Sequence, residues 1–394
     1  MRKSLLAVAV LGAFAGSAMA ADVTLYGKID TGLMYTNTKV DGSKATNKFE
    51  MKSGITGGSR WGIKGSEDLG NGYKVGFMLE SAIDSDTGKS ETRLFHREAS
   101  VNVAGPFGTV YAGRMGGVGG GSASSPISLW GMGSAFGTVW GNNALSTTLQ
   151  SNASRYDNSI AYASPNFAGF QVIAFYSMGG DSVKNTDGKE NSEDVDRYYG
   201  LGMKYVNGPI AMFGVVDQQN YRNFTKVDNL QGKRFTKNDD SLAVTLGGSY
   251  DFGVAKVYAT AQYYDDLRTT ETVSAPGLNL FGTSAKSATD STKVKNIGAI
   301  KGWALSTSAN VPVWGGNFKV GLGYADAESA DKDAYGDREG KRYTGGVGHQ
   351  YPLSKRTYLY AGANYMVDEI KNKDASTKTK TKTTQVFAGL QHNF

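Results

Sequence analysis

Residues 240–266 read DSLAVTLGGSYDFGVAKVYATAQYYDD, and this stretch decides the fold. Apolar side chains occupy every second position on both sides of a turn at 252–253. They are Leu242, Val244, Leu246 and Tyr250 before the turn, and Ala255, Val257, Ala259, Ala261 and Tyr263 after it. An apolar face opposite a small or polar face, sustained for about ten residues, is typical of a strand that crosses the outer membrane. A soluble β-sandwich would show the same alternation, so the order of segments along the chain must separate the two.

Sixteen strand segments follow one another along the chain. The predicted strands are 23–36, 56–67, 72–82, 92–103, 107–114, 154–164, 167–177, 196–207, 209–221, 240–252, 254–266, 297–309, 314–326, 340–351, 356–368 and 383–394. Short turns alternate strictly with long polar loops, which are predicted at 37–55, 83–91, 115–153, 178–195, 222–239, 267–296, 327–339 and 369–382. Outer-membrane barrels are built this way, whereas a Greek-key sandwich has no reason to alternate so regularly. The sequence therefore predicts an all-β fold, a transmembrane antiparallel β-barrel of sixteen strands.

The first twenty residues have the pattern of a secretory signal peptide. Arg2 and Lys3 form a basic start, an apolar run follows at 5–15, and Ala18-Met19-Ala20 provides the small residues that signal peptidase requires. We therefore predict a cleaved signal peptide at 1–20 and a mature barrel at 21–394.

Composition supports an exported membrane barrel over the other classes. The chain has 53 glycines, 22 tyrosines and 17 phenylalanines, and it contains no apolar run of about 18 residues that could form a membrane helix. A chain that crosses a membrane without helices must form a closed barrel, because every backbone group then pairs between strands. The net charge of +6 is a mild excess without a basic block, so nothing indicates nucleic-acid binding.

Six blocks of sequence resemble one family. They are VTLYGKIDTG at 23–32, SRWGIKGSEDLGNGYKVGFMLES at 59–81, RLFHREASVNVAGPFGTVYAGR at 93–114, SRYDNSIAYASPNFAGFQV at 154–172, YPLSKRTYLY at 351–360 and FAGLQHNF at 387–394. The chain resembles the general porins of Gram-negative bacteria, particularly those of β-proteobacteria. The resemblance implies a homotrimer in the outer membrane, a passive water-filled channel for small hydrophilic solutes and ions, and a third loop folded into the pore.

The C-terminal residues have a second implied role. The resemblance implies that Phe394, together with His392 on the same face, belongs to the signal read by the outer-membrane assembly machinery. Phe394 also ends a strand with an apolar outward face, where the aromatic residues of a membrane interface are expected.

The resemblance also implies a constriction at which basic residues of the wall face the third loop. Carried over position by position, these are Arg60, Arg97 and Arg155, with Arg114 and Lys64 as weaker members. The alternative for each of these residues is that it is a solvated charge at the rim or a member of an ion pair.

Strand alternation tests part of this assignment. If Trp61 and Ile63 face outward, Arg60 and Lys64 face the lumen, and if Tyr156, Ile160 and Tyr162 face outward, Arg155 and Asp157 face the lumen. An arginine facing lipid near the midplane instead would cost about 2–4 kcal/mol. Arg97 fits less well, because its inward orientation would turn His96 and Glu98 outward.

The third long loop departs from the family. Residues 115–154 contain no charged side chain, where related porins carry acidic residues opposite the arginines. A positive wall that faces a neutral loop predicts a preference for anions, although Asp157 and Glu80 would weaken it. Trp130, Phe136 and Trp140 are assigned to the constriction, either as a sliding surface for sugars or aromatic solutes or as anchors that hold the loop inside the barrel.

Other motifs predict no chemistry. The glycines at 116–121 lack the helix that a phosphate-binding loop requires, and three widely separated histidines lack the spacing of a metal site, so no catalytic residue, metal or cofactor is predicted. The Thr/Lys alternation at 377–384 is interpreted as an extracellular loop that meets anionic lipopolysaccharide. Three alternatives stay open: a substrate-specific channel, a barrel hydrolase with a nucleophile at one rim, and an adhesin barrel with a plugged lumen.

Overall fold

The structure is a computed structural model of the chain. It describes residues 22–90, 93–120, 125–141, 145–150, 155–179, 188–193, 195–221, 240–269, 280 and 298–394. The predicted signal peptide at 1–20 and its cleavage site lie outside the described residues.

A single antiparallel sheet closes on itself. Its strands are β1 (Asp22–Val40), β2 (Thr46–Ser53), β3 (Arg60–Gly70), β4 (Tyr73–Ala82), β5 (Glu98–Gly105), β6 (Gly108–Gly116), β7 (Arg155–Ala163), β8 (Phe170–Ser177), β9 (Arg197–Asn207), β10 (Ile210–Asn220), β11 (Ser241–Asp251), β12 (Lys256–Thr269), β13 (Gly298–Val313), β14 (Gly316–Ser329), β15 (Arg338–Pro352), β16 (Thr357–Asn372) and β17 (Thr377–Asn393). Consecutive strands pair except β2 and β3, which both pair with β1, and β1 also pairs with β17 to complete the ring.

The barrel has sixteen strand positions although the described residues form seventeen strands. The extracellular half of β1 pairs with β2, and its periplasmic half pairs with β3. Thus β2 and β3 share one position, which residues 54–59 interrupt. The predicted antiparallel barrel of sixteen strands is confirmed.

Alternating burial shows why these segments form barrel strands. On β11, the Leu246 side chain is 61% exposed on the outer surface, whereas its neighbour Thr245 is 1% exposed on the inner side. The same alternation continues on β12, where Tyr263 is exposed and Gln262 is buried. An outward apolar face belongs in lipid, and the inward face can then be polar.

Two predicted loops are wrong. The segment 37–55 was predicted to be irregular, but β1 continues to Val40 and β2 begins at Thr46. The segment 369–382 is also mostly strand, because β16 and β17 extend until only 373–376 remain as a turn. The Thr/Lys run at 377–384 therefore lies in β17, since β-branched threonine suits a strand even beyond the apolar band.

The barrel interior is partly filled by the third loop. Within it, a short 3₁₀-helix covers Trp130–Gly133 and helix α1 covers Leu145–Thr148, and a further short helix, α2 (Lys332–Tyr335), lies between β14 and β15. Buried side chains of the loop join clusters with side chains of the inner wall. Within the described part of the chain, no helix has the length and apolar character needed to cross a membrane.

Candidate constriction of the pore

The third loop lies against the inner wall of the barrel and is held there by hydrogen bonds. The Ser308 side chain accepts a hydrogen bond from the Ala135 amide at 2.9 Å, and Asn364 donates to the Trp140 carbonyl at 3.1 Å. Gln262 both accepts from the Gln150 amide at 2.7 Å and donates to its carbonyl at 2.9 Å. These bonds reach the inner faces of β12, β13 and β16, so the loop runs across the lumen side of the wall.

Trp130, Phe136 and Trp140 are the bulkiest side chains of the loop, and all three are buried. Trp140 lies 5.4 Å from Phe136 and 5.9 Å from Phe387 between ring centroids. Trp130 packs in a separate cluster that includes Tyr264 of β12. Of the two roles that the sequence left open, burial favours the anchor, because a sliding surface needs rings that solutes can reach.

A basic cluster occupies the wall formed by β3, β4 and the start of β5. Arg97 Nε lies 2.7 Å from Glu80 Oε1, and Arg60 Nη1 lies 3.8 Å from the same oxygen. The Tyr26 hydroxyl donates to the second Glu80 oxygen at 3.1 Å. Lys28 is the register partner of Arg60, so its side chain shares the inner face. One buried carboxylate is therefore shared by two arginines, with a further cation beside them.

The predicted conflict at Arg97 is absent. Strand β5 begins only at Glu98, so the alternation that would turn Glu98 outward does not extend to Arg97. Glu98 is buried, pairs in register with Glu80, and accepts a hydrogen bond from Ser100 at 2.9 Å. Arg97 and Glu98 can therefore both be directed inward, and the expectation of an outward Glu98 is wrong.

The predicted orientation of Tyr156 is also wrong. Its ring is buried and stacks on Tyr198 at a centroid distance of 3.9 Å, inside the barrel. Ile160 and Tyr162 are exposed outward as predicted. The alternation changes phase between them because Asn158 has φ of +48° and the β6–β7 register shifts there. Strand alternation therefore cannot show which way the side chains of Arg155 and Asp157 face. Their contacts must show it.

Those contacts separate the two residues. Arg155 Nε donates to the Arg97 carbonyl at 3.1 Å, which joins Arg155 to the cluster around Glu80. Asp157 instead lies 2.8 Å from Arg93 Nη1 and 2.5 Å from Arg114 Nη1. Arg114 thus belongs with Asp157 in a second cluster, where two arginines neutralise the carboxylate.

Lys64 occupies the same wall nearer the periplasm. Its register partner is Thr24, four residues along β1 from Lys28, the partner of Arg60. The Lys64 ammonium lies 5.2 Å from the centroid of the Tyr26 ring. The structure therefore brings Arg60, Arg97 and Arg155 together and leaves Lys64 on the approach to them.

Sequence reasoning missed Asp30, a buried carboxylate on β1. One of its oxygens accepts from the Thr56 amide at 2.9 Å and the Gly57 amide at 2.8 Å, and the other accepts from the Tyr360 hydroxyl at 2.6 Å. These bonds fix residues 54–59, the interruption between β2 and β3. The only signal in the sequence was parity, since Asp30 shares a face with Lys28.

The proposed assembly signal lies where the barrel closes. Phe394 exchanges two backbone hydrogen bonds of 3.0 Å with Gly27, and its ring lies where a side chain at Gly27 would be. His392 faces outward, with Nδ1 at 2.8 Å from the Thr357 hydroxyl. Among the described residues, no group of His, Asp and Glu is arranged to hold a metal ion.

The chain is similar to known proteins over nearly its whole length. A family model described as Gram-negative porin matches residues 7–375. An outer membrane porin protein of Bordetella pertussis is 32% identical, with 100% of both chains covered. Outer membrane porin protein 32 of Delftia acidovorans is 34% identical, with 96% of this chain and 92% of the relative covered. The solved anion-selective porin from Comamonas acidovorans is 25% identical with a TM-score of 0.60, covering 95% of this chain and 100% of that one.

Proposed function

The chain belongs to the Gram-negative porin family and forms a passive channel of the outer membrane, and we propose that this channel prefers anions. Small hydrophilic solutes and ions cross by diffusion. The selectivity arises where the basic cluster faces the third loop across the lumen.

The balance of charge at the constriction carries the proposal. Arg60, Arg97 and Arg155 supply three positive charges, and Lys28 beside them supplies a fourth. The buried carboxylates of the same inner face, Glu80, Glu98 and Asp30, offset three of these charges, so an excess of positive charge remains. Asp157, which could have offset them, is already engaged by Arg93 and Arg114. Rings of like charge at the narrowest point of a pore select the opposite ion, because that ion is stabilised on entry and the other is repelled.

The third loop, on the opposite side of the constriction, carries no negative charge that could attract cations. Residues 115–154 carry no charge, so a cation that passes the arginines has no carboxylate of the loop to approach. The similar solved protein that is named an anion-selective porin supports the same preference.

Removing one arginine tests the proposal. In Arg97→Ala, we expect the ratio of chloride to potassium permeability to fall, because one positive charge leaves the constriction and Glu80 loses a partner. Reversal potentials in planar bilayers under a KCl gradient measure this ratio. The matched control is Lys355→Ala, which removes the same charge from an exposed position in the turn between β15 and β16.

An unchanged ratio in Arg97→Ala, or an equal fall in Lys355→Ala, would count against the proposal. In the first case other charges would control selectivity. In the second, the overall charge of the molecule would matter rather than the constriction.

A general channel fits better than a substrate-specific one or an enzyme. The loop aromatics are buried, so they offer no surface for a particular solute. His349 lies 3.2 Å from the Val313 carbonyl, and His392 contacts Thr357, so neither is arranged with a nucleophile and a carboxylate. We expect no hydrolysis of lipid or peptide substrates by the folded protein.

The proposed partners are two further copies of the chain, outer-membrane lipid, lipopolysaccharide and the assembly machinery. Strands β16, β17 and β1 bring lysines together beyond the apolar band, in register as Lys371 with Lys378 and Lys39 with Lys382. Glu369 lies 3.5 Å from Lys378 and 2.6 Å from Lys380, so it offsets only part of this positive charge. Like charges that face each other across strands destabilise a sheet unless further negative charge lies between them. Phosphate groups of lipopolysaccharide would supply that charge.

A further inference from the structure

We propose that glycines of the inner wall set the width of the pore, because they receive side chains of the third loop and fix how closely it approaches the wall. We call them the seat glycines: Gly202 on β9, Gly321 and Gly323 on β14, and Gly348 on β15. The inference rests on the proposed function to the extent that the third loop forms one side of the constriction.

Gly348 receives the bulkiest side chain of the four seats, the indole of Trp140. A Cβ atom at this position would overlap the six-membered ring of Trp140 and lie 3.0 Å from its Cε2 atom. Trp140 is 1% exposed and is enclosed elsewhere by Phe136, Tyr360 and Phe387. The indole therefore has no other pocket to enter if the wall moves toward it.

The other seats repeat the arrangement along the loop. A Cβ atom at Gly321 would lie 2.9 Å from the Phe136 ring, and one at Gly323 would overlap Thr148. On the far side, a Cβ atom at Gly202 would lie 2.5 Å from Val118. These contacts are distributed along the described parts of the loop, so the wall sets the position of those parts.

Backbone conformation does not explain why glycine occupies these four positions. None of the four seat glycines has the positive φ that would favour glycine over other residues. Glycine inside a strand weakens it and marks places where another part of the chain approaches closely. What each position provides is space for a loop side chain.

Lys319 holds the third loop against the wall beside Gly348. It is the register partner of Gly348 on the neighbouring strand. Its ammonium donates to the Ala135 carbonyl and lies 5.9 Å from the centroid of the Trp140 ring. The loop is thus pulled toward the wall beside the glycine that lets it come close.

The test is to add one methyl group at Gly348. In Gly348→Ala, Trp140 must move away from the wall, which carries the loop into the lumen. We expect single-channel conductance to fall by about 1.5-fold or more, since conductance is limited at the narrowest section. Liposome swelling should show a lower size limit for uncharged sugars. The matched control is Gly345→Ala on the same strand, where the nearest atom is Leu322 Cδ2 on the exposed outer surface at 3.3 Å.

A second variant separates loop displacement from general damage. Gly348→Ala combined with Trp140→Phe removes the part of the ring that the methyl group would meet, so conductance should return toward the wild-type value. Equal conductance in wild type and Gly348→Ala would overturn the proposal, as would a failure of the double variant to recover. Resistance to heat in detergent reports the folded state of every variant.

The result is independent of ion selectivity. A wild-type channel without anion preference that still narrows in Gly348→Ala would refute the proposed function and leave the seat glycines supported. An anion-selective channel that is unaffected by Gly348→Ala would do the reverse.

Discussion

Glu80 shows how a single carboxylate can hold a selectivity cluster together. It is 1% exposed, and its two oxygens contact Arg97, Arg60 and Tyr26. Without it, the arginines would repel each other across a short distance inside the lumen. The carboxylate therefore positions the positive charges while it cancels one of them.

Replacing Glu80 by glutamine separates these two effects. We expect Glu80→Gln to raise the preference for chloride over potassium, because the constriction gains one unit of net positive charge. The folded state should lose about 1–3 kcal/mol, because a buried charged hydrogen-bond partner becomes neutral. Reversal potential and the urea midpoint of the detergent-solubilised protein measure the two quantities, with Glu328→Gln at the extracellular rim as the control. A lower chloride preference would contradict the assignment of Glu80 to the constriction.

For single residues, family resemblance and strand alternation allowed predictions of which side chains face the lumen. Strand alternation predicted Arg60 on the inner face of β3, where it lies beside Glu80, and its role in the constriction stays a prediction. Tyr156 was misplaced because the change of phase at Asn158 depends on how β6 and β7 pair. Asp30 was missed because its partners Thr56 and Tyr360 are remote in sequence, and no local pattern marks a carboxylate that meets them only after the barrel closes.

Among the elements, the third loop depends on anchors that the wall supplies. Arg342 on β15 makes a bidentate ion pair with Asp368 on β16, at 2.6 and 2.7 Å, and also donates to the Thr147 carbonyl of the loop at 2.8 Å. One buried guanidinium thus joins two strands and helix α1.

Removing this guanidinium should loosen the C-terminal part of the loop. We expect Arg342→Met to destabilise the barrel by about 3 kcal/mol, because Asp368 would remain partly buried without its partner. Channel recordings should show more current fluctuation. The control is Lys341→Met, the neighbouring outward residue, whose 3.7 Å pair with Asp326 is more exposed and should contribute less than about 1 kcal/mol. Equal unfolding midpoints for the two variants would show that Arg342 is not an anchor.

Element boundaries were predictable wherever the apolar face continued. The ends of β11 and β12 followed the alternation, whereas β1 and β17 extend past it into polar sequence. In those extensions, hydrogen bonding to a neighbouring strand, rather than contact with lipid, maintains the structure. A sequence pattern based on the apolar face cannot detect that.

For the whole molecule, closure of the sheet was predictable from the even number of segments and the alternation of turns and loops. The position of the third loop inside the barrel was implied only by resemblance, because its neutral residues give no periodic signal. Its anchors lie on β9 to β17, far along the chain from the loop itself. The proposed trimer likewise depends on surfaces between copies, which one chain does not contain.

Single-channel recording, with the reversal potential measured under a KCl gradient, is the direct test of the proposed anion-preferring channel. We expect a reversal potential shifted from zero toward the equilibrium potential of chloride, and closure in three equal steps if three copies assemble. A reversal potential close to that of potassium would contradict the arginine constriction while leaving the channel in place. No conductance from folded protein would contradict the open pore itself.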